Sequence, residues 1–258
     1  MFDFDAPANL LENRNILITG ASDGIGKCCA TTFAKHGANV VLLGRSLEKL
    51  ESVYDEIEAI NPGKVIIQPV NFSSMHETDY QGLVNSFAEN FDCLDGLILN
   101  AGMLGLRVPI EFYPSDIWQE TINVNVNSVF HLLKASLPLL KLSKDARVLF
   151  ISSGVGRKGR AHWGAYAVSK FAIEGLMQTL ADELEKTSAI RINSLNPGAT
   201  KTTMRQAAYP AEDPDAQPTP KSLMPVYLYL LSKQAKSIHG QAIDAKEFDP
   251  DKYLPLSQ

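Results

Sequence analysis

A chain of 258 residues with 45% hydrophobic and 21% charged residues has the composition of an ordinary globular protein, which excludes a disordered or fibrous one. Its net charge of -5 at pH 7 argues against nucleic acid as a partner, because phosphate binding relies on a concentrated basic surface. No apolar run approaches the roughly 20 residues of a membrane-spanning helix, and the first residues, with Asp3 and Asp5, lack the basic and apolar regions of a secretory signal.

The cysteines support a reducing, cytoplasmic setting. Cys28 and Cys29 are adjacent and Cys93 is distant, so they form neither a metal-ligand spacing nor an even disulfide framework, and no metal site is expected.

In chain order, short β-branched runs alternate with amphipathic stretches. Runs at 15–19, 39–43, 64–70, 96–100 and 147–152 each precede a helical stretch, at 24–36, 46–60, 75–90, 115–142 and 163–186. A sixth run at 190–195 is followed by an irregular segment and a helix at 221–232, and a seventh run lies at 241–244. This alternation is that of βαβ units. With right-handed crossovers it predicts one α/β domain over 1–258: a Rossmann-type, doubly wound parallel sheet of about seven strands in three layers. Ligands then bind at the carboxyl edge of the strands.

The segment 203–220 breaks the pattern with Pro210, Pro214, Pro218 and Pro220. It is expected to be a loop, part of a substrate-binding excursion over about 199–222 at the active-site edge; an inert surface loop is the alternative.

The first run leads into Thr19-Gly20-Ala21-Ser22-Asp23-Gly24-Ile25-Gly26 and then a helix, the order needed for dinucleotide binding. Gly20 permits the tight turn, Gly24 the approach of the pyrophosphate, and Gly26 close packing of helix on sheet, while the helix start offers N–H donors. Strand two ends Gly44-Arg45-Ser46 with no carboxylate, so Arg45 and Ser46 are suited to a ribose 2′-phosphate and predict NADP(H). The alternative is a solvated Arg45 with Ser46 as a helix cap.

Tyr166 and Lys170 are one helical turn apart, so they share a face. A fixed ammonium near a phenol favours its ionised form, and Lys170 is expected to lower the Tyr166 pKa toward neutrality. Ser152 and Ser153 end strand five, and alternation allows only one of them to face a substrate.

These motifs together resemble the short-chain dehydrogenases/reductases. TGxxxGxG, Leu99-Asn100-Ala101-Gly102, Tyr166-Ala167-Val168-Ser169-Lys170 and Pro197-Gly198 follow in family order, and the resemblance covers nearly the whole chain. The run 156–166, Gly-Arg-Lys-Gly-Arg-Ala-His-Trp-Gly-Ala-Tyr, is similar to that of one bacterial subgroup.

The resemblance implies interconversion of a small-molecule carbonyl and alcohol, with Tyr166 as the proton-transferring residue. It selects Ser153 over Ser152 as the residue that bonds the substrate oxygen. Lys170 would also bond the nicotinamide ribose, and Asn125 would support a helix kink and a water path to Lys170. It extends the cofactor set to Asn100, Ala101, Gly102, Pro197, Gly198, Thr200 and Thr202, the last having a rival role as a helix cap. Asn71 stands where the family commonly has an adenine-binding Asp, with Phe72 beside it.

The resemblance also implies a homodimer or homotetramer. Met103, Leu104, Gly154, Val155, Trp163 and Tyr209 suggest an apolar pocket; His162 and Trp163 are candidates for its wall, with ordinary packing as the alternative. A non-catalytic dinucleotide-binding sensor is the competing reading; an extended-type epimerase suffers from the short chain left beyond Leu195.

Overall fold

The computed structural model describes residues 2–253. Seven strands form one sheet: β1 (Asn15–Thr19), β2 (Asn39–Gly44), β3 (Val65–Pro69), β4 (Gly96–Leu99), β5 (Arg147–Ile151), β6 (Arg191–Asn196) and β7 (Ala242–Asp244). All pairings are parallel, in the order β3-β2-β1-β4-β5-β6-β7.

The strands are apolar on both sides because both faces are covered. Alternation sends Ile16 and Ile18 of β1 into one core and Leu17 into the other; Leu149 and Ile151 of β5 oppose Val148 and Phe150 in the same way. The winding reverses between β1 and β4. This is the switch point at which loops diverge and leave a crevice.

The helices are α1 (Gly24–Lys35), α2 (Leu47–Glu58), α3 (Glu77–Ala88), α4 (Ser115–Ile122), α5 (Ser128–Leu142), α6 (Gly164–Leu184), α7 (Thr203–Ala208) and α8 (Met224–Leu231). Phe33 of α1, Val53 of α2 and Val226 of α8 pack on one face of the sheet. Val84 of α3, Leu132 of α5 and Met177 of α6 pack on the other.

Two elements differ from expectation. The stretch 115–142 is not one α-helix: a π-helical turn, Asn123–Asn127, separates α4 from α5. Its buried Asn125 bonds outward to neighbouring segments, and such widened turns are frequent at functional sites. The second correction concerns 203–220, which is not simply loop. Thr202 caps α7 by accepting from the Arg205 amide at 3.1 Å, and short 3-10 turns follow at Pro214–Ala216 and Pro220–Leu223. Pro214 and Pro220 stand at the starts of those turns, where a missing N–H costs little.

Among the described residues, no helix is long and apolar enough to cross a membrane.

Candidate active site

Strands β1 to β6 all end at a cavity of about 1130 Å³ on the carboxyl edge of the sheet. The glycine turn forms one wall. Gly20 has φ +65°, and a Cβ added at Gly26 would stand 2.6 Å from Asn100 Nδ2 and collide with the Gly20 carbonyl. Asn100 Nδ2 donates to the carbonyls of Thr19 at 3.0 Å and Gly20 at 3.3 Å, while Thr19 Oγ1 accepts from the amides of Asn100 and Ala101, both at 2.9 Å. Thus Gly26 lies behind the cavity lining, and its role is to let the turn close.

Asp23 caps α1 by accepting from the Gly24 amide at 2.7 Å. It also accepts from Thr203 Oγ1 at 3.0 Å and pairs with Lys49 at 3.6 Å, so it ties α7 to the glycine turn. Burial alone would raise its carboxyl pKa, but Thr203, the Gly24 amide and Lys49 together hold it below the usual value. Because Asp23 takes the Gly24 amide, the Ile25 and Gly26 amides are the first-turn donors left without an acceptor among the described residues.

At the end of β2, Ser22, Arg45 and Ser46 line the cavity. Arg45 is exposed, and its guanidinium has no partner among the described residues. Ser46 caps α2, accepting from the Lys49 amide at 3.3 Å, so the capping role holds for it. Asn71 accepts from Ser73 Oγ at 2.9 Å and keeps its amide N–H groups free; Phe72 is buried beside it. Ala101, Gly102, Pro197, Gly198 and Thr200 complete this part of the lining. Thr202 lines the cavity as well as capping α7.

Tyr166 and Lys170 are buried on α6 and both line the cavity. Ser153 lines the cavity too, its Oγ accepting from the Val155 amide at 3.5 Å, and its hydroxyl acts to lower the Tyr166 pKa. The neighbouring Ser152 hydroxyl is buried without a partner among the described residues. Lys170 Nζ donates to the Ile151 carbonyl at 2.7 Å and stands 5.6 Å from the centre of the Tyr166 ring.

The expected acidification of Tyr166 is not found. Burial pushes its pKa up to about 12, and Ser153 opposes that only in part. Lys170 is itself pushed down to about 8 by burial, against the raising effect of Glu174. Desolvation disfavours both charged forms, and the Lys170 hydrogen bond goes to a backbone carbonyl instead of the phenol.

Asn125 lies outside the cavity lining. It accepts from the Met103 amide at 2.7 Å and donates to the Met103 carbonyl at 2.9 Å and to Ser169 Oγ at 3.0 Å. It therefore fastens the segment after β4 to the helix turn that carries Lys170.

Met103, Leu104, Gly154, Val155, Trp163 and Tyr209 all line the far end of the cavity. The Trp163 ring lies 5.6 Å from that of Tyr166 and 6.1 Å from that of Tyr209. His162 does not join them. Its backbone is left-handed, φ +67°, and its side chain is exposed.

Sequence reasoning passed over Glu174, Ser169 and Thr203. Glu174 had a signal: it continues the Tyr166–Lys170 spacing by one more turn, in a helix face otherwise apolar.

The cradle, the uncommitted Arg45 and the free first-turn amides fit a dinucleotide with a 2′-phosphate, and the buried Tyr166 opens on the same cavity. A fold and site of this kind define a dinucleotide-linked oxidoreductase. The chain belongs to the short chain dehydrogenase family, whose pattern matches residues 14–213.

The oxidoreductase YciK of Escherichia coli K12 is 45% identical over 241 residues, which are 92% of this chain and 94% of that protein. A short chain dehydrogenase structure from Pseudomonas syringae superposes with a TM-score of 0.93 at 50% identity, covering 95% of this chain and 99% of that one. Another, from Escherichia coli CFT073 and complexed with NADPH, gives 0.90 at 44% identity, covering 93% and 99%.

Proposed function

We propose that this protein reduces a carbonyl compound to an alcohol with NADP(H), and that Tyr166 transfers the proton. The observation that carries the reading is that Ser153, Tyr166 and Lys170 line the same cavity as the glycine turn and Arg45. The NADPH bound by the similar Escherichia coli CFT073 structure supports the choice of cofactor.

The Ile25 amide, with the backbone of the glycine turn, would hold the pyrophosphate, Arg45 with Ser46 the 2′-phosphate, Asn71 the adenine edge, and Lys170 a nicotinamide-ribose hydroxyl. When bound, the cofactor supplies the hydride.

The protein's own part is proton management and charge. With a pKa of about 12, Tyr166 holds its proton at neutral pH and is ready to give it to a carbonyl oxygen. Ser153 donates to the same substrate oxygen and stabilises its developing negative charge. The Lys170 ammonium then compensates the phenolate left on Tyr166. Asn125 acts as a positioning residue through Met103 and Ser169.

The excursion over 199–222 is the segment that closes on substrate, and the chain over 1–258 acts as one cytoplasmic unit. A homodimer or homotetramer agrees with the half-exposed apolar side chains Phe130 of α5 and Val168 and Phe171 of α6.

The test is Tyr166→Phe. This variant should bind NADPH as the parent does and lose carbonyl reduction by about 100-fold or more, as expected for removal of a general acid. Unchanged reduction would refute the mechanism.

A further inference from the structure

The cavity has a charge opposite to that of the chain. Around it stand Arg45, Lys49, Lys158, Arg160, Lys170 and Arg205, against Asp23 and Glu120, in a protein of net charge -5. Most of these cations have a task. Arg45 is at the end of β2, Lys49 in the first turn of α2 pairs with Asp23, Lys170 accompanies Tyr166, and Arg205 is held by both oxygens of Glu212, each at 2.6 Å. Lys158 and Arg160 remain, with no carboxylate partner among the described residues.

Both are exposed and stand on the turn between β5 and α6, whose backbone is held by hydrogen bonds. The Lys158 amide donates to the Gly154 carbonyl at 3.1 Å, and the Trp163 amide donates to the Arg160 carbonyl at 3.2 Å. The Arg160 side chain is oriented as well: its Nη1 donates to the Tyr209 hydroxyl at 3.1 Å.

Tyr209 is in turn contacted by two guanidinium groups. Those of Arg107 and Arg205 lie 4.6 Å and 3.8 Å from its ring centre, and Arg107 also stacks on Trp163 at 4.8 Å while donating to the Ala208 carbonyl. Stacking engages the faces of these cations and leaves N–H donors on their edges. The indole N–H of Trp163, buried in the same wall, has no acceptor among the described residues. The far end of the cavity is thus rich in donors and poor in acceptors.

We infer that this rim is a subsite for an anionic end of the substrate, so that the carbonyl compound carries a carboxylate or phosphate monoester within a few bonds of its reacting carbon. Arg160 is the principal ligand, with Lys158 beside it. A forked guanidinium matches either anion through paired N–H bonds, and an anion relieves the mutual repulsion of the clustered cations. The Tyr166, Trp163 and Tyr209 rings follow one another with centres 5.6 Å and 6.1 Å apart, which keeps Tyr209 within two ring spacings of Tyr166 and the anionic group near the carbonyl. The inference rests on the carbonyl-reducing reading above.

The test is calorimetric titration of the full chain saturated with NADP+, using two matched pairs: 4-oxopentanoate against its methyl ester, and hydroxyacetone phosphate against hydroxyacetone. At least one anion should bind about tenfold or more tightly than its neutral partner, as for a charge-assisted hydrogen bond, and the pair that shows the difference identifies carboxylate or phosphate. Arg160→Ala should bring the ratio close to one, and Arg160→Lys should retain part of it.

Ratios near one in the parent protein, or ratios that survive Arg160→Ala, overturn the subsite. NADPH oxidation is followed in parallel with all four compounds. Turnover without an anion preference sinks the subsite alone. An Arg160-dependent preference without turnover of any compound supports the subsite and counts against the reaction.

Discussion

Glu174 lies one helical turn beyond Lys170, and its charge raises the Lys170 pKa against the burial that pushes it down to about 8. Glu174 is buried, pairs with Arg157 at 3.4 Å and accepts from Ser194 Oγ at 2.6 Å. A support spanning α6, β6 and the turn after β5 therefore sets how readily Lys170 holds its proton.

Glu174→Gln removes the raising contribution, so Lys170 should titrate below about 8. Lys170 is an ammonium only below its pKa. Reduction that requires this ammonium falls as pH rises through that value, and in Glu174→Gln the fall should begin at lower pH. Profiles of kcat/KM against pH for parent and variant provide the comparison; superimposable alkaline limbs would show that Glu174 does not act on Lys170.

The same buried lysine weakens the fold. Its folded pKa of about 8 lies below the ordinary 10.5, so between these values the unfolded chain binds a proton that the folded chain does not, and this group's contribution makes stability rise with pH. Relative to a neutral side chain the cost at pH 7 is about 3 kcal/mol. Lys170→Met should therefore abolish activity yet raise Tm at pH 7, with the gain shrinking as pH rises from 8 toward 10.5. A Tm that falls at pH 7 would mean that the bond to the Ile151 carbonyl outweighs the desolvation.

Arg45→Ala should weaken NADPH binding by about 10- to 100-fold, the value of a charge-assisted contact to the 2′-phosphate, and should leave NADH affinity within about twofold. Dissociation constants from cofactor fluorescence decide this. Equal losses for the two cofactors would remove Arg45 from the 2′-phosphate contact.

Gly26→Ala places a methyl group where the Gly20 carbonyl and Asn100 Nδ2 already sit. The glycine turn must open, so both Tm and NADPH affinity should fall, with a destabilisation of about 1–3 kcal/mol typical of overpacking. Gly63 is a contrast. A Cβ there meets nothing within 4 Å, so a fall in Tm at Gly63→Ala reports its φ of +71° and not a collision.

Much of the architecture was legible because its signals are local. The strand runs, their two-sided burial and the spacing of Gly20, Gly24 and Gly26 depend on residues near one another in the chain. The six residues suggested as an apolar pocket do meet at one cavity. His162 was misplaced because its left-handed backbone, which no neighbour announces, turns it out to solvent. The α7 helix was missed because the prolines after it dominate the composition of 203–220, whereas its cap, its Arg205–Glu212 pair and the Thr203–Asp23 bond are side-chain contacts.

The order of residues alone determined the winding of the sheet, the position of the glycine turn and the sharing of one helix face by Tyr166 and Lys170, since periodicity and turn chemistry act over a few residues. Only the tertiary structure decided the protonation of that pair. Desolvation depends on everything packed around a group, and here it lifts Tyr166 and lowers Lys170 where their spacing alone argued for an ionised phenol. The gathering of Arg107 and Arg160 around the Arg205–Tyr209 turn is of the same kind: three stretches far apart in the chain acquire a common chemistry once the fold closes.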